Sequence, residues 1–285
     1  MPPYISTRAF IQWLPDGSRS EPTLTKVLTT TQRHFVDVRI LKDRAGTATD
    51  ASHKNQRTIR LHMSDLDWAF AGTSSSSQGA DGKTLSQWHH WIDSKTRKPE
   101  EVVDKGEMMP EDENSGGLAL EKGEMVNPDS GKLEAYVEGW REEAPRAVGA
   151  VGEGERERVR RELEEGGVFV SHSATASAVA SEVTETTERL SLIMRHESAE
   201  LGSRGTAVRV GHLCAGVARV GDDFGLELWE WTESDGGWCK TYVLGQLAMP
   251  CDVLALLGES VETGTEVRYG KGEDGVWRCV EAERW

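Results

Sequence analysis

The 285-residue sequence predicts an all-β protein made of two antiparallel β-barrels joined by a polar linker. Three observations carry this expectation. Short runs of β-branched and aromatic residues alternate with clusters of Gly, Pro, Asp and Ser, the pattern of sandwiches and barrels. The same strand–turn style recurs on either side of a connector of different composition. At this length two domains are the usual outcome, since single domains run roughly 100–200 residues. The expected partition is 1–145 for an N-terminal barrel, 146–187 for a polar, charged linker with a possible short helix, and 188–285 for a C-terminal barrel.

In the first half, strands are expected at Ser6–Trp13, His34–Leu41, Thr58–Ala71, Leu85–Asp93, Gly117–Met125 and Leu133–Arg141. Pro15-Asp16-Gly17, Asp50–Gln56, Ser74–Gly82 and the acidic Pro110–Gly116 read as the turns between them. Glu153–Glu165 alternates Glu and Arg around Val159 and Leu163, which recur four apart on one helical face. It reads as an exposed helix or a disordered linker. Ser171–Thr187 is rich in Ser, Thr and Ala, a linker composition. In the second half, strands are expected at Leu190–Arg195, Ala207–Val210, Leu213–Val220, Phe224–Thr232, Trp238–Leu244, Thr265–Tyr269 and Val276–Ala282. Asp235-Gly236-Gly237 and Asp274-Gly275 supply residues tolerant of positive φ for hairpin turns. Leu247–Leu257 has the apolar density of a short helix, interrupted by Pro250 and suited to plugging a barrel mouth.

Two motifs are the most specific. In Asp67-Trp68-Ala69-Phe70-Ala71-Gly72-Thr73 the two rings are two residues apart, hence on one strand face, with both alanines on the other. Trp68 and Phe70 are therefore expected to be buried structural residues, and Gly72 to let the chain turn away. Asn127-Pro128-Asp129-Ser130-Gly131-Lys132 reads as a tight turn, with φ preset at Pro128 and a left-handed position at Gly131. Together with Trp88–Asp93, Gly123–Pro128, Trp140, the paired Arg-Val-Gly at Arg209 and Arg219, and Glu227–Trp231, these motifs resemble a fungal family. That family comprises casein kinase I-interacting, lipocalin-like (calycin-type) two-barrel proteins. The chain departs from the pattern at Ser74–Lys83 and at Glu142–Thr187. The resemblance implies two lipocalin-like barrels, a non-enzymatic interaction protein and a casein kinase I-type partner. It implies no catalytic, cofactor-binding or metal-binding residues.

Composition narrows the classes further. A net charge of −15 argues against a nucleic-acid partner, whose phosphates need clustered Lys and Arg, and against an anionic membrane surface. No stretch approaches the ~20 apolar residues of a membrane helix. Met1–Gln12 lacks the pattern of a secretory signal, so a cytoplasmic location is expected. Cys214, Cys239, Cys251 and Cys279 form no Cys-x-x-Cys pair and read as reduced, buried thiols.

No catalytic constellation emerges. Ten tryptophans fit either an aromatic pocket for a small apolar ligand or plain core filling. His89 and His90 would face opposite sides of a strand and so would not ligate one ion together. A single histidine among His34, His62, His89, His90, His172, His196 and His212 is the only arrangement that could serve haem. The acidic runs Glu111-Asp112-Glu113 and Asp222-Asp223 fall in turns. Ser191 and Ser203 lack a Gly-x-Ser-x-Gly setting, and Gly270-Lys271-Gly272 lacks the frame of a phosphate loop. Three functions stay open: an interaction protein, a carrier or sensor of a small apolar ligand, and a lipocalin-like isomerase or cyclase. In the connector, Ser181, Thr184 and Thr187 stand at the three-residue spacing that casein kinase I enzymes favour, interleaved with Glu182, Glu185 and Glu188.

Overall fold

The computed structural model describes residues 1–44, 58–79, 83–109, 116–149, 153–171, 189–234, 236–269 and 275–285. Eight strands close an antiparallel barrel in the order β1-β2-β3-β5-β6-β7-β8-β9. Their ranges are β1 Tyr4–Trp13, β2 Thr23–Thr29, β3 His34–Leu41, β5 Leu66–Gln78, β6 Thr84–Asp93, β7 Val103–Met109, β8 Ala119–Val126 and β9 Leu133–Glu143. Ring closure is made by β1 on β9, with a register shift between Arg8 and Phe10.

Nine further strands form a second sheet: β4 Ile59–Leu61, β10 Val168–Ser171, β11 Leu190–Ser198, β12 Ser203–Val210, β13 Leu213–Val220, β14 Asp223–Thr232, β15 Gly237–Leu244, β16 Glu266–Tyr269 and β17 Val276–Arg284. Their order is β10-β16-β17-β11-β12-β13-β14-β15-β4, a linear run among the described residues. Strand β4 comes from the first half of the chain yet pairs in parallel with β15. The chain is nearly all-β, with one closed barrel and one large sheet.

The two sheets share a core. In β3 the side chains of Val36, Val38 and Ile40 point out of the barrel, and with Ile5, Leu28, Ala69, Ala71 and Ile92 they meet Ile193, Val208, Val210, Leu213, Val217 and Leu226 of the second sheet. The opposite face of that sheet is covered by α1 (Glu153–Glu165) and α2 (Cys251–Leu257). The result is three layers: barrel, sheet, helices. Arg209 on the helix side is fully buried and donates to the carbonyl oxygens of Gly211 at 3.1 Å and Leu254 at 2.8 Å. Burial pushes its pKa down to about 10.

Several expectations need correction. The run Glu153–Glu165 is helical, but Val159 is buried and Leu163 packs on the same core, so the helix is docked. Strand β10 then joins the second sheet through β16, so residues 168–171 are not linker. Helix α2 begins after Pro250 and packs on the second sheet. The expected strand Thr58–Ala71 is two elements, β4 and β5, separated by a 3-10 turn at Met63–Asp65. Ser74–Gln78 continues β5, because ladder hydrogen bonds to β6 need no apolar side chains. Gly72 does not end the strand: it marks a bulge, where a Cβ would lie 1.8 Å from the His89 carbonyl oxygen. Strands β2 and β7 had no counterpart in the sequence reading. The Asn127–Lys132 turn forms as expected, with Gly131 at φ 66°. The turn residues 50–56, 110–115, 235 and 274 and the connector 172–187 lie outside the described residues.

Candidate functional site

Alternation along the barrel strands places charged and aromatic side chains inside. In β3 the inward residues are Phe35, Asp37 and Arg39; in β5 they are Trp68 and Phe70; in β9 they are Tyr136, Glu138 and Trp140. This arrangement follows from the shared core, because the aliphatic face of β3 is needed outside against the second sheet. The interior encloses a cavity of about 100 Å³ whose walls include Phe35, Trp68, Phe70, Trp88, Trp140 and Tyr136. Exposed Lys105, Glu124 and Glu142 line the end that meets solvent.

Two buried arginines organise the floor. Arg39 donates to Asp37 through Nε at 3.2 Å and Nη2 at 2.9 Å, and its Nη1 stands 3.8 Å from Glu138. Burial disfavours the guanidinium charge, but Asp37 and Glu138 outweigh it and hold the pKa above the ordinary arginine value. Arg8 pairs with Glu138, and donates to Glu21 at 2.7 Å and to the Thr23 hydroxyl at 3.0 Å. A buried pair of this kind persists only when each charge is matched and hydrogen-bonded.

Glu121 on β8 has a different environment. Its two oxygens accept from the Tyr136 hydroxyl at 3.0 Å and the Trp140 indole N–H at 3.1 Å, and among the described residues no ion pair reaches it. Burial, then the charge of Glu138, raise its pKa to about 8, so the carboxyl is mostly neutral at pH 7. Gly106 on β7 makes room for it, since a Cβ there would lie 2.5 Å from Glu121 Cγ.

His90 on β6 completes the wall. Its ring stacks on Phe70 with centroids 4.3 Å apart. Nδ1 is 2.8 Å from Asp93 and Nε2 is 3.1 Å from Asp104. Burial opposes its charge, yet hydrogen bonds to Asp104 and Asp93 raise its pKa to about 9. With both ring nitrogens donating to carboxylates, this imidazolium has no lone pair for haem iron. Trp68 donates from Nε1 to Asp93 at 2.9 Å, and Phe70 is buried. Trp68, however, is half-buried and lines the cavity, so it is more than core filling.

The other histidines disperse as separate local ties. His34 meets Glu281, His196 meets Ser203 and the Val276 carbonyl, and His212 lies beside Arg146 and Glu143. His62 and His89 are exposed, and His172 lies outside the described residues. Among the described residues no group of three His, Cys, Asp or Glu side chains is arranged to hold a metal ion. Cys214, Cys251 and Cys279 are buried, and Cys239 is half-buried. A second cavity, of about 310 Å³, lies where β6 of the barrel meets the second sheet, beside Trp91, Arg204 and Arg219.

The sequence reading missed Asp37, Arg39, Glu121, Tyr136 and Glu138. The available signal was polar side chains repeated at two-residue spacing within strands, Asp37/Arg39 and Tyr136/Glu138, which marks one face as polar.

The family model described as Protein HRI1 matches residues 4–281 of the chain. The fold is similar to the crystal structure of an uncharacterized protein, YLR301w, from Saccharomyces cerevisiae. The match has a TM-score of 0.60 at 14% identity, covering 99% of this chain and 100% of that one. No curated protein matches the chain.

Proposed function

The chain belongs to the HRI1 protein family, and on that premise we propose that it is a non-enzymatic binding protein whose N-terminal barrel holds a small ligand. One observation carries this reading: the barrel interior is a cavity walled by Trp68, Trp88 and Trp140 and floored by fixed charges. A barrel of eight strands is wide enough for one small molecule, and a few fixed polar groups set its orientation. Asp37, Asp104 and Glu121 already have donors, which suits a preorganised binding floor better than a free catalytic base. Of the three functions the sequence left open, the carrier or sensor is thus favoured over the isomerase or cyclase. The lining is more polar than an apolar ligand would call for.

Titration of intrinsic tryptophan fluorescence against a fragment library tests this proposal. A saturable, size-limited quench that is lost on Trp88→Leu supports it, and the absence of any saturable quench rejects it.

A protein partner of the casein kinase I type is a second proposal, carried by the family resemblance and by one surface feature. Val126 and Leu133 face each other across the β8–β9 ladder and are 60% and 68% exposed. In this proposal the pair is the apolar contact that the partner covers. The phosphate acceptors Ser181, Thr184 and Thr187 lie outside the described residues. Incubation with such a kinase, followed by phosphate mapping and pull-down of a Val126→Asp variant, separates docking from phosphorylation. Two lipocalin-like barrels, a cytoplasmic location and the 1–145, 146–187 and 188–285 partition belong to the same proposal.

A further inference from the structure

We propose that the ligand of the N-terminal barrel is a small organic cation, an ammonium carried on an aliphatic or benzylic group, with its charge on Glu121 and its body among the tryptophans. This rests on the reading of the barrel as a ligand holder. The argument begins with charge. The side chains lining the cavity include two cations, Arg39 and Lys105, against six carboxylates, Asp37, Asp104, Glu121, Glu124, Glu138 and Glu142. Of the buried ones, Glu121 has hydrogen-bond donors but, among the described residues, no ion pair. The interior is therefore short of positive charge, and a bound anion would enlarge the imbalance.

The walls favour the same ligand. The negative faces of aromatic rings attract a desolvated cation, most strongly for Trp. Trp68, Trp88 and Trp140 all line the space, and Lys95 and Arg39 already stand over the Trp68 ring at 4.4 and 5.2 Å. Exposed Glu124 and Glu142 at the mouth outnumber Lys105 and draw cations toward the opening. Size sets a limit. A closed apolar cavity of about 150 Å³ accepts benzene. The barrel space, about 100 Å³, is smaller than that, so a single ring with a short arm is the upper limit and is admitted only because one end is open.

The neutral Glu121 carboxyl has a consequence. Facing it are Tyr136, Glu138 and Trp140 from β9, Asp104 from β7 and Arg39 from β3. An ammonium seated against Glu121 stabilises the ionised form, so the carboxyl releases its proton to the buffer while the ligand keeps its own. Binding at pH 7 is then linked to proton release.

Isothermal titration of the full-length chain with benzylamine, benzyl alcohol and benzoate is the decisive experiment. Benzylamine is expected to bind at least tenfold more tightly than benzyl alcohol, with benzoate showing no saturation. Its apparent enthalpy should differ between phosphate and Tris buffers by the proton released. Glu121→Gln should weaken benzylamine at least tenfold, leave benzyl alcohol unchanged and remove the buffer dependence. Benzyl alcohol or benzoate binding as tightly as benzylamine overturns the cation while leaving the ligand-holder reading intact. Failure of all three to bind overturns the cation, and the fragment titration then decides the ligand-holder reading. If Glu121→Gln does not fold, the buffer dependence of the wild-type chain decides, and its absence rejects Glu121 as the counter-charge.

Discussion

His34, on the third barrel strand, places Nδ1 3.1 Å from Oε2 of Glu281, on the last strand of the second sheet. The same carboxylate accepts from the Thr30 hydroxyl at 2.7 Å and the Gln32 backbone N–H at 3.2 Å. Burial works against the Glu281 charge, but the donors from His34, Thr30 and Gln32 outweigh it and keep its pKa below the usual range. One carboxylate thus ties the barrel to the sheet.

Removing that tie should be costly. Glu281→Ala leaves buried donors unsatisfied, and truncating one side of such a cluster lowers stability by about 3 kcal/mol. Urea unfolding followed by circular dichroism measures it. A loss under about 1 kcal/mol would mean that the apolar contacts alone join the layers.

The pH dependence has a definite sign. Glu121 and His90 both bind a proton more tightly folded than unfolded, with pKa values near 8 and 9. Their contributions are complete below the unfolded values and decline as pH rises, from about 4.5 to 8 for Glu121 and from about 6.5 to 9 for His90. Asp93 and Glu281 have depressed pKa values, and His212 is lowered to about 4, chiefly by burial, so these three lose their contributions as pH falls. Stability should therefore peak on the acid side of neutrality. Glu121→Gln should flatten the decline up to pH 8, and an unchanged slope in thermal melts across this range would contradict the assignment.

Trp68 carries two separable contributions. Trp68→Phe keeps a ring against Phe70 but loses the hydrogen bond to Asp93, a loss of about 1 kcal/mol. Trp68→Ala also enlarges the cavity and should cost on the order of 3 kcal/mol. Chemical denaturation of both variants resolves the two terms, and equal losses would show that the indole N–H matters more than the ring.

The shared core predicts a dependent first half. Alone, residues 1–145 would expose Val36, Val38, Ile40, Ala69 and Ala71, all of which meet the second sheet. Expressed separately, this fragment should bind a hydrophobic dye or aggregate, and should recover when mixed with 146–285. A monomeric, dye-free fragment with a cooperative melt would show that the barrel stands by itself.

Much of this was legible in the amino-acid order. Turn clusters and β-branched runs located most strands, and the two-residue spacing of Trp68 and Phe70 assigned them to one face. Strand β2 escaped because its inward Thr23 and Thr25 are polar on the face that is buried, which removes the contrast that normally marks a strand. Helix α1 read as solvated because its Glu and Arg residues outnumber the single stripe of Val159 and Leu163 that docks it.

What the sequence determined by itself was local: backbone conformation, turn chemistry and the alternation that gives each strand two faces. Which face lies inside the barrel was a tertiary decision. Val36, Val38 and Ile40 would line an isolated barrel, but burying them against Val208 and Val210 is more favourable, and the charged face of β3 is then enclosed. The pairing of Arg39 with Asp37, the isolation of Glu121 and the placement of β4 beside β15 all depend on contacts between distant segments. No local pattern encodes such contacts, because the free energy that selects them comes from surfaces that meet only once the layers have packed.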